Sequence, residues 1–504
     1  MNTTRFGRRL AGLAAAALFT LGVATAQSTL VIGAPAEISH LDPRVAADTY
    51  SIQRVSVISE PLVTFDNDLS VIPRLATSWE FLDEGRTLVF NLREGVKFHD
   101  GSDFTSQDVK YTFDWVLNAD NPAQNRALYM DIASIDTPDD YTVVMNLSNV
   151  NSFLLNNIAR MPIAPVSAED VEDFTFNPIG TGPYKFESLR RDDRLVLAAF
   201  DDYWGGRGEI DFVEFRTIPE DGTRQLAFEA GEIHLSQAAP VPTDLERLEA
   251  DDRYVIQRTP GTGYTYIGLN NQSEPLDNVL VRQAISHLVN REAIVSLLLS
   301  GIGEPGVSMI SPNLPWFNPD VPRFDYNPER ARELLAEAGF DGGMTLRVHT
   351  NEAPVRIQIA EILQAELADI GITLEINIEE FGTFNERVQT TDDYDMFILG
   401  FGGQLDPDRS MYRQFTSEGS SNFTYYTNAR VDELLEAGRR VPSDSQESVD
   451  IYSEAQMIVV EEAPVIYVNY TEEIAMFHPW IEGWEIHTES GKAYQDLHLV
   501  KFNR

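Results

Sequence analysis

Hydrophobic residues recur at every second position in one early stretch of the chain, and this pattern predicts a β-hairpin. Leu88, Phe90 and Leu92 alternate with other side chains after the turn sequence 83–85. A period of two, with turn residues between the runs, is typical of antiparallel strands with one buried face. A second glycine turn then predicts a further short strand over residues 96–98.

The period changes from two to 3.6 after this hairpin, which predicts an amphipathic helix. Val109, Phe113 and Val116 fall on one face of such a helix. Thr105 is expected to cap its first turn, and Asp108 at the third helical position makes a near capping box. Neither the hairpin nor the helix carries catalytic chemistry of its own.

The rest of the chain alternates between these two periods, which predicts an α/β protein. Helices are predicted over 49–58, 152–158, 222–230, 281–300, 327–339, 356–369, 431–437 and 448–460, and strands over 28–34, 141–145, 184–186, 194–199, 212–218, 264–271, 344–349, 373–378, 395–400, 466–469 and 497–502. Strands that alternate with helices are what an α/β lobe requires. With 504 residues, of which 43% are hydrophobic, more than one domain is expected.

The net charge of −41 limits the partners of this chain. An acidic surface repels phosphate backbones, so nucleic acid is not expected as a partner. The chain contains no cysteine, which excludes disulfides, thiolate metal sites and a lipid-modified cysteine. Whether the acidity reflects a saline habitat stays open.

The first 26 residues have the pattern of a cleaved signal peptide. Arg5, Arg8 and Arg9 precede an apolar run, and Ala24 and Ala26 occupy the small-residue positions of a cleavage site. We therefore expect a periplasmic protein that begins at residue 27. A membrane anchor is the alternative, and export by the ordinary secretory route or the twin-arginine route stays open.

No motif in the chain predicts an enzyme or a cofactor. Residues 301–306 match a dinucleotide fingerprint as a string, but they follow a helix instead of a strand and are interpreted as a loop. The eight histidines are scattered, so no metal site is predicted. We expect no cofactor, no metal and no catalytic residues.

Several stretches together resemble one protein family. The hairpin and helix over 73–116, the sequence GTGPYKF at 180–186, the strand at 264–271 and the helix with its caps at 327–340 resemble the large solute-binding proteins of ABC importers, extracellular solute-binding protein family 5. This family serves peptides, nickel chelates and some oligosaccharides. The resemblance implies the two-lobe periplasmic-binding-protein fold with hinge strands, in its type II, large three-domain variant.

The resemblance also implies domain boundaries. They are a signal peptide at 1–26, a first lobe made of 27–64, 180–268 and 485–504, an extra small domain at 65–179, and a second lobe at 269–484. The implied function is capture of a peptide-like or oligosaccharide solute between the lobes and delivery to the transmembrane subunits of an ABC permease, by a monomer. A secreted glycosidase-like hydrolase, or a chaperone with the same fold, is the alternative.

The loop over 400–408 is the clearest candidate for ligand contacts. It follows an apolar strand, and open α/β sheets bind ligands at such strand ends. Its candidate residues are Phe401 for stacking, Gly403 for close approach of the backbone, and Gln404 and Asp406 for polar contacts. A structural turn, in which Asp406 and Asp408 cap the next helix, is the alternative for the aspartates.

The resemblance adds three further candidate ligand residues. These are Glu37, in the loop after the first strand, and Thr350 and Asn351, after the strand 344–349. Where dipeptide binders of the family carry an arginine, our alignment has Thr350, although a slip of a few residues brings in Arg356. Gly403 stands where the peptide binders carry an acid. These two departures predict a neutral, hydroxyl-rich ligand, or a longer peptide held by its backbone, with Asp406 as the one remaining acid.

Overall fold

The computed structural model describes residues 27–46, 48–340, 343–403 and 405–503. The expected signal peptide and Gln404 lie outside these residues. The strands are β1 Thr29–Ala34, β2 Val63–Phe65, β3 Val71–Pro73, β4 Ala76–Leu82, β5 Thr87–Leu92, β6 Ile132–Asp139, β7 Thr142–Leu147, β8 Tyr184–Arg190, β9 Arg194–Ala199, β10 Phe212–Thr217, β11 Leu235–Ser236, β12 Val255–Leu269, β13 Glu304–Pro305, β14 Thr345–Asn351, β15 Thr373–Glu379, β16 Met396–Phe401, β17 Val465–Phe477, β18 Ile481–Glu482 and β19 Lys501–Phe502.

The helices complete the alternation of an α/β protein, as the sequence predicts. They are α1 Thr49–Ile58, α2 Ser106–Leu117, α3 Leu154–Ile158, α4 Asp221–Glu229, α5 Leu245–Glu249, α6 Val279–Ser286, α7 Arg291–Ala293, α8 Pro328–Glu337, α9 Pro354–Ala368, α10 Phe381–Thr390, α11 Arg413–Phe415, α12 Ala429–Gly438 and α13 Gln446–Glu462. None of the described helices combines the length and hydrophobicity that a bilayer-spanning segment needs.

Two long strands join the two lobes of the molecule. Over 255–260, β12 pairs with the second half of β17. Over 264–269 it pairs with β16, and over 264–268 also with the first half of β17. On one side, β11, β1, β10, β9 and β8 continue the sheet, and we call this part the first lobe. On the other side lie β16, β14 and β15, which form the second lobe.

The crossing region of these strands is built from small residues. The pairing register of β12 and β17 shifts between Pro260 and Tyr264. A Cβ atom at Gly261 would lie 2.7 Å from Thr471 Oγ1, and one at Gly263 would lie 2.5 Å from the Phe401 carbonyl oxygen. Glycine is therefore required where the two strands and the loop after β16 meet.

The small domain is a four-stranded sheet in the order β4, β5, β7, β6, packed on α2. The predicted caps of α2 are confirmed: Thr105 and Asp108 form a capping box. Phe90 and Phe113 are fully buried in its core. The strand predicted over 96–98 is wrong, because Lys97 makes only an isolated bridge to Asp103 in a run of turns.

Two further predictions about elements are wrong. The helix predicted over 281–300 is interrupted after Ser286, since the Asn290 side chain accepts from Ala293 N and caps a new segment. The Arg291 guanidinium at this break donates to the Tyr467 carbonyl oxygen at 2.6 Å. The strand predicted over 497–502 is a 3-10 turn over Leu497–Leu499 followed by the short β19.

Candidate functional site

The loop after β16 lies where both lobes and the small domain meet. Phe401 ends β16 and stacks on the buried Tyr266 of β12, with ring centroids 5.3 Å apart and planes at 5°. Gly403 follows with a φ of 61°, a left-handed backbone conformation that favours glycine. Leu405 is 4% exposed and packs into the core of the small domain. The loop therefore spans the interface instead of standing free.

Two other candidates lie at the end of the neighbouring strand. β14 runs parallel to β16, so their carboxyl ends meet at one edge of the sheet. Thr350 is fully buried there, and its hydroxyl oxygen has no hydrogen-bond partner in the described part of the chain. Asn351 accepts a hydrogen bond at its Oδ1 from Arg356 Nη1, at 2.7 Å.

Arg356 brings a positive charge to this edge. It lies in the first turn of α9, and its Nη2 would be 3.3 Å from a Cβ atom at Gly400. Burial lowers the pKa of Arg356, and the electrostatic interaction with Tyr266 opposes this shift. Among the described residues, no carboxylate lies within 4 Å of its guanidinium. A desolvated cation without an acidic partner is expected to bind an anionic group.

The opposite wall of the loop carries a cluster of buried charges. Arg160 of the small domain donates from Nη2 to the Gly403 carbonyl oxygen at 2.9 Å and forms an ion pair with Glu489 of the first lobe. Lys492 Nζ donates to the Ala159 carbonyl oxygen at 2.8 Å. Burial acts to raise the pKa of Glu489, but nearby cations, Arg160 first, hold it below its usual value. Burial lowers the pKa of Lys492 to about 7.

Asp406 serves the protein's own structure with both carboxylate oxygens. Oδ1 accepts from Arg409 N at 3.1 Å, at the start of a helical segment over 408–412. Oδ2 accepts from Asn156 Nδ2 of the small domain, also at 3.1 Å. The bond to Arg409 N agrees with the alternative in which Asp406 caps the next helix. The bond from Asn156 adds a contact between the second lobe and the small domain.

Asp408 belongs to a second contact between these units. Its Oδ1 lies 2.7 Å from Arg439 Nε, and Arg439 Nη2 lies 3.2 Å from Asp131 Oδ2 of the small domain. Burial raises the pKa of Asp408 to about 6, although Arg439 opposes the shift. One guanidinium thus lies between the buried Asp408 of the second lobe and the half-buried Asp131 of the small domain.

Glu37 lies apart from the other candidates. Its carboxylate accepts from Asp192 N at 3.0 Å and from Thr217 Oγ1 at 3.3 Å, so its recorded contacts stay within the first lobe. The structure brings Thr350, Asn351, Phe401, Gly403 and Asp406 to one edge of the second lobe. The role of each as a ligand contact stays a prediction, and the prediction for Gln404 falls outside the described residues.

A family model for bacterial extracellular solute-binding proteins, family 5, matches residues 70–423. This match covers more than half of the chain. The chain belongs to this family. The two lobes, the crossing strands and the small domain are thus the scaffold of a family 5 protein, and the expected fold class is confirmed.

Relatives of known function match over nearly the full length of this family 5 protein. The dipeptide-binding protein of Escherichia coli is 28% identical and covers 93% of this chain and 94% of its own. The glutathione-binding protein GsiB of Salmonella typhi is 29% identical, with coverages of 97% and 98%. The structure of the oligopeptide-binding protein AppA from Bacillus subtilis with a nonapeptide has a TM-score of 0.83 and 27% identity, and covers 95% of this chain and 100% of its own.

Membership confirms the general function that the sequence predicts. The protein is the solute-binding component of an ABC importer, which binds a solute between two lobes and delivers it to the permease. The hydrolase and chaperone alternatives are not favoured, because the family consists of transport proteins. Groups of three or more His, Cys, Asp or Glu arranged to hold a metal ion are not found in the described segments.

Proposed function

We propose that this family 5 protein binds a short peptide-like solute by its free carboxylate, using Arg356, and that it catalyses no reaction. The observation that carries the proposal is the guanidinium of Arg356, desolvated, without an acidic partner among the described residues and next to Gly400. A carboxylate on the ligand supplies the missing anion, and two N–H groups of Arg bind it in one plane.

The surroundings of Arg356 support this role. The Asn351 side chain orients the guanidinium through Nη1, at 2.7 Å, and leaves its other N–H groups available. The first turn of α9 contains no acidic residue, and its N-cap Ala353 makes no side-chain capping bond. Unpaired N–H groups at the start of a helix add to the positive potential. The sequence predicts a neutral ligand if Thr350 occupies the position where dipeptide binders carry an arginine. With Arg356 in that role, we propose a ligand with a carboxylate instead.

Calorimetry with Ala-Ala-Ala, reduced glutathione, maltotriose and the C-terminal amide of Ala-Ala-Ala tests the proposal. We expect a micromolar Kd, about −8 kcal/mol, for at least one of the ligands that carry a free carboxylate. Amidation, or the variant Arg356→Met, is expected to weaken binding by about 10- to 100-fold, which corresponds to the loss of a charged hydrogen bond.

Arg347→Met is the matched control. Arg347 lies in β14, the strand that precedes α9, and its guanidinium is already paired with Asp393 at 2.8 Å and Asp395 at 3.3 Å. Its replacement should leave affinity within about twofold, because exposed ion pairs contribute little. Equal binding of the peptide and its amide, or binding of maltotriose alone, would contradict the proposal.

We further propose that the protein acts in the periplasm as a monomer, after removal of residues 1–26. The basic start, apolar run and small residues at 24 and 26 support cleavage before Gln27. Intact-mass analysis of periplasmic protein and its molar mass in solution test both points. A full-length chain recovered from membranes would contradict the first, and a stable dimer would contradict the second.

A further inference from the structure

Glu473 of β17 is a partly buried carboxylate, and no cation pairs with it among the described residues. Its recorded hydrogen bond comes from Gln237 Nε2, at 3.3 Å. In the described part of the chain, no Lys, Arg or His nitrogen lies within 4 Å of it. Burial raises the pKa of Glu473 to about 7, and the nearby charge of Glu489 adds to the shift. The protein itself therefore leaves this carboxylate poorly compensated.

Gln237 contributes a second unused acceptor at the same place. It directly follows β11 and is 7% exposed. Its Oε1 is buried and has no hydrogen-bond partner among the described residues. The Gln237 amide oxygen and the Glu473 carboxylate thus lie close together. Among the described residues, the donor that serves them is the amide N–H of Gln237 itself, which binds Glu473. A group that fits them must carry several N–H donors and a positive charge.

The pair faces the region where the lobes meet. β11 is parallel to β1, so Gln237 lies at the carboxyl end of a first-lobe strand, where open α/β sheets bind ligands. Successive side chains of a strand alternate, so Glu473 shares a face of β17 with Thr471. Thr471 Oγ1 lies 3.0 Å from the Cβ position of Gly263, which also adjoins the Phe401 carbonyl oxygen.

Other carboxylates near the loop are already occupied. Asp406 accepts from Arg409 N and Asn156, and Glu489 forms an ion pair with Arg160. Asp408 is paired with Arg439 at 2.7 Å. Within the segments that the structure describes, Glu473 differs from all three in having no cation or helix N–H as a partner.

We propose that Glu473 and Gln237 form the subsite that binds a cationic amino group of the transported solute. The inference rests on the proposed function, since Arg356 binds the carboxylate of the same solute. An ammonium has three N–H donors and one positive charge, which satisfies both acceptors at once. Because Arg356 belongs to the second lobe and Gln237 to the first, a zwitterionic solute draws the lobes together.

The spacing of the strands gives the size of this solute. Phe401 pairs with Tyr264, and Tyr264 pairs with Tyr470, three residues before Glu473. With strands about 4.8 Å apart and about 3.3 Å per residue, the Cα atoms of Phe401 and Glu473 are roughly 14 Å apart. The Arg356 guanidinium lies beside Gly400, the residue before Phe401, so an extended peptide of about two to four residues has a length of the order needed to join Glu473 and Arg356.

The test compares Ala-Ala-Ala with N-acetyl-Ala-Ala-Ala by calorimetry on three proteins. They are the wild type, Glu473→Gln, and the control Glu472→Gln, which changes the next residue on the opposite face of the strand. Glu472 pairs with Arg258 at 2.6 Å. Acetylation is expected to weaken binding to the wild type and to the control by at least about tenfold, and to leave binding to Glu473→Gln unchanged.

The proposal is overturned if the wild type binds both peptides with equal affinity. It is also overturned if Glu473→Gln still prefers the peptide with the free amine. If neither peptide binds any of the proteins, spermidine decides the subsite by thermal shift. A rise in Tm that Glu473→Gln abolishes and Glu472→Gln keeps supports an ammonium site. No rise, or a rise that Glu473→Gln keeps, overturns it.

Discussion

Arg160 of the small domain donates a hydrogen bond to the carbonyl oxygen of Gly403 in the second lobe, at 2.9 Å. The same guanidinium forms an ion pair with Glu489 of the first lobe. One side chain therefore joins all three structural units at the candidate loop. Phe153 of the small domain adds an apolar contact, with its ring 5.5 Å from Trp316 in the core of the second lobe.

We predict that Arg160→Met weakens the contact that joins the two lobes and the small domain at Gly403. It removes the bond to Gly403 and leaves the buried Glu489 with less compensation, which is costly for a desolvated charge. Affinity for a bound peptide should fall at least tenfold, and the radius of gyration measured by small-angle scattering should rise. Arg190→Met is the control, because Arg190 is 76% exposed and, among the described residues, pairs only with Asp193 three positions along the chain. An unchanged radius and affinity would show that the contact does not hold the lobes together.

A second prediction concerns Asp406. Its two oxygens bind Arg409 N and Asn156, so Asp406→Ala should lower the unfolding midpoint of the ligand-free protein. Loss of a helix cap costs about 1 kcal/mol, and loss of a hydrogen bond to a carboxylate costs about 1.5–3 kcal/mol. Asp406→Asn should recover part of this loss. The preference for a free ligand amine should survive both changes, and its disappearance in either variant would assign the amine to Asp406.

The sequence predicts the scaffold well wherever the decisive signals are local. Thr105 and Asp108 cap α2, and Asn327 caps α8, because each side chain bonds to backbone a few residues away. The interrupted helix after Ser286 was missed because the residue that stabilises the break, Arg291, binds the Tyr467 carbonyl oxygen of a distant strand. Local periodicity contains no information about such a contact.

In the candidate site, too, the local features are predictable from the sequence and the long-range contacts are not. The loop over 400–408 is predictable, since it follows an apolar strand and contains three glycines. Its partners are not, because Arg160 lies 243 residues before Gly403 in the chain and 329 residues before Glu489. Glu473 was also missed. It stands in a polar run within β17, and the apolar pattern predicts only residues 466–469 of that strand.

A third prediction concerns the ion cluster around Arg439. Its guanidinium lies between Asp408 at 2.7 Å and Asp131 at 3.2 Å, so Arg439→Met leaves two acids of the interface without a cation. Breaking such a buried pair costs about 3–5 kcal/mol. We expect a lower unfolding midpoint at pH 8. Since burial raises the pKa of Asp408 to about 6, protonation should relieve part of the loss at pH 5. A loss that is equal at both pH values would contradict this.

The last prediction concerns the stability of the ligand-free protein at different pH values. Burial raises the pKa of Glu473 from 4.5 to about 7. Between these two values the folded protein keeps a proton on Glu473 that the unfolded chain has lost. Folding stability therefore falls as pH rises through this window, and the loss is complete above pH 7.

Glu473→Gln should remove this loss, because glutamine does not titrate. At about 1.4 kcal/mol per pKa unit, the variant gains on the order of 3 kcal/mol over the wild type at pH 8 and much less at pH 5. Calorimetric unfolding midpoints at pH 5, 6, 7 and 8 measure the difference, with Glu472→Gln as the control. Glu472 is already paired with Arg258, so its variant should show no such gain. A constant difference between Glu473→Gln and the wild type at all four pH values would mean that Glu473 is not the desolvated, uncompensated acid on which the ammonium subsite depends.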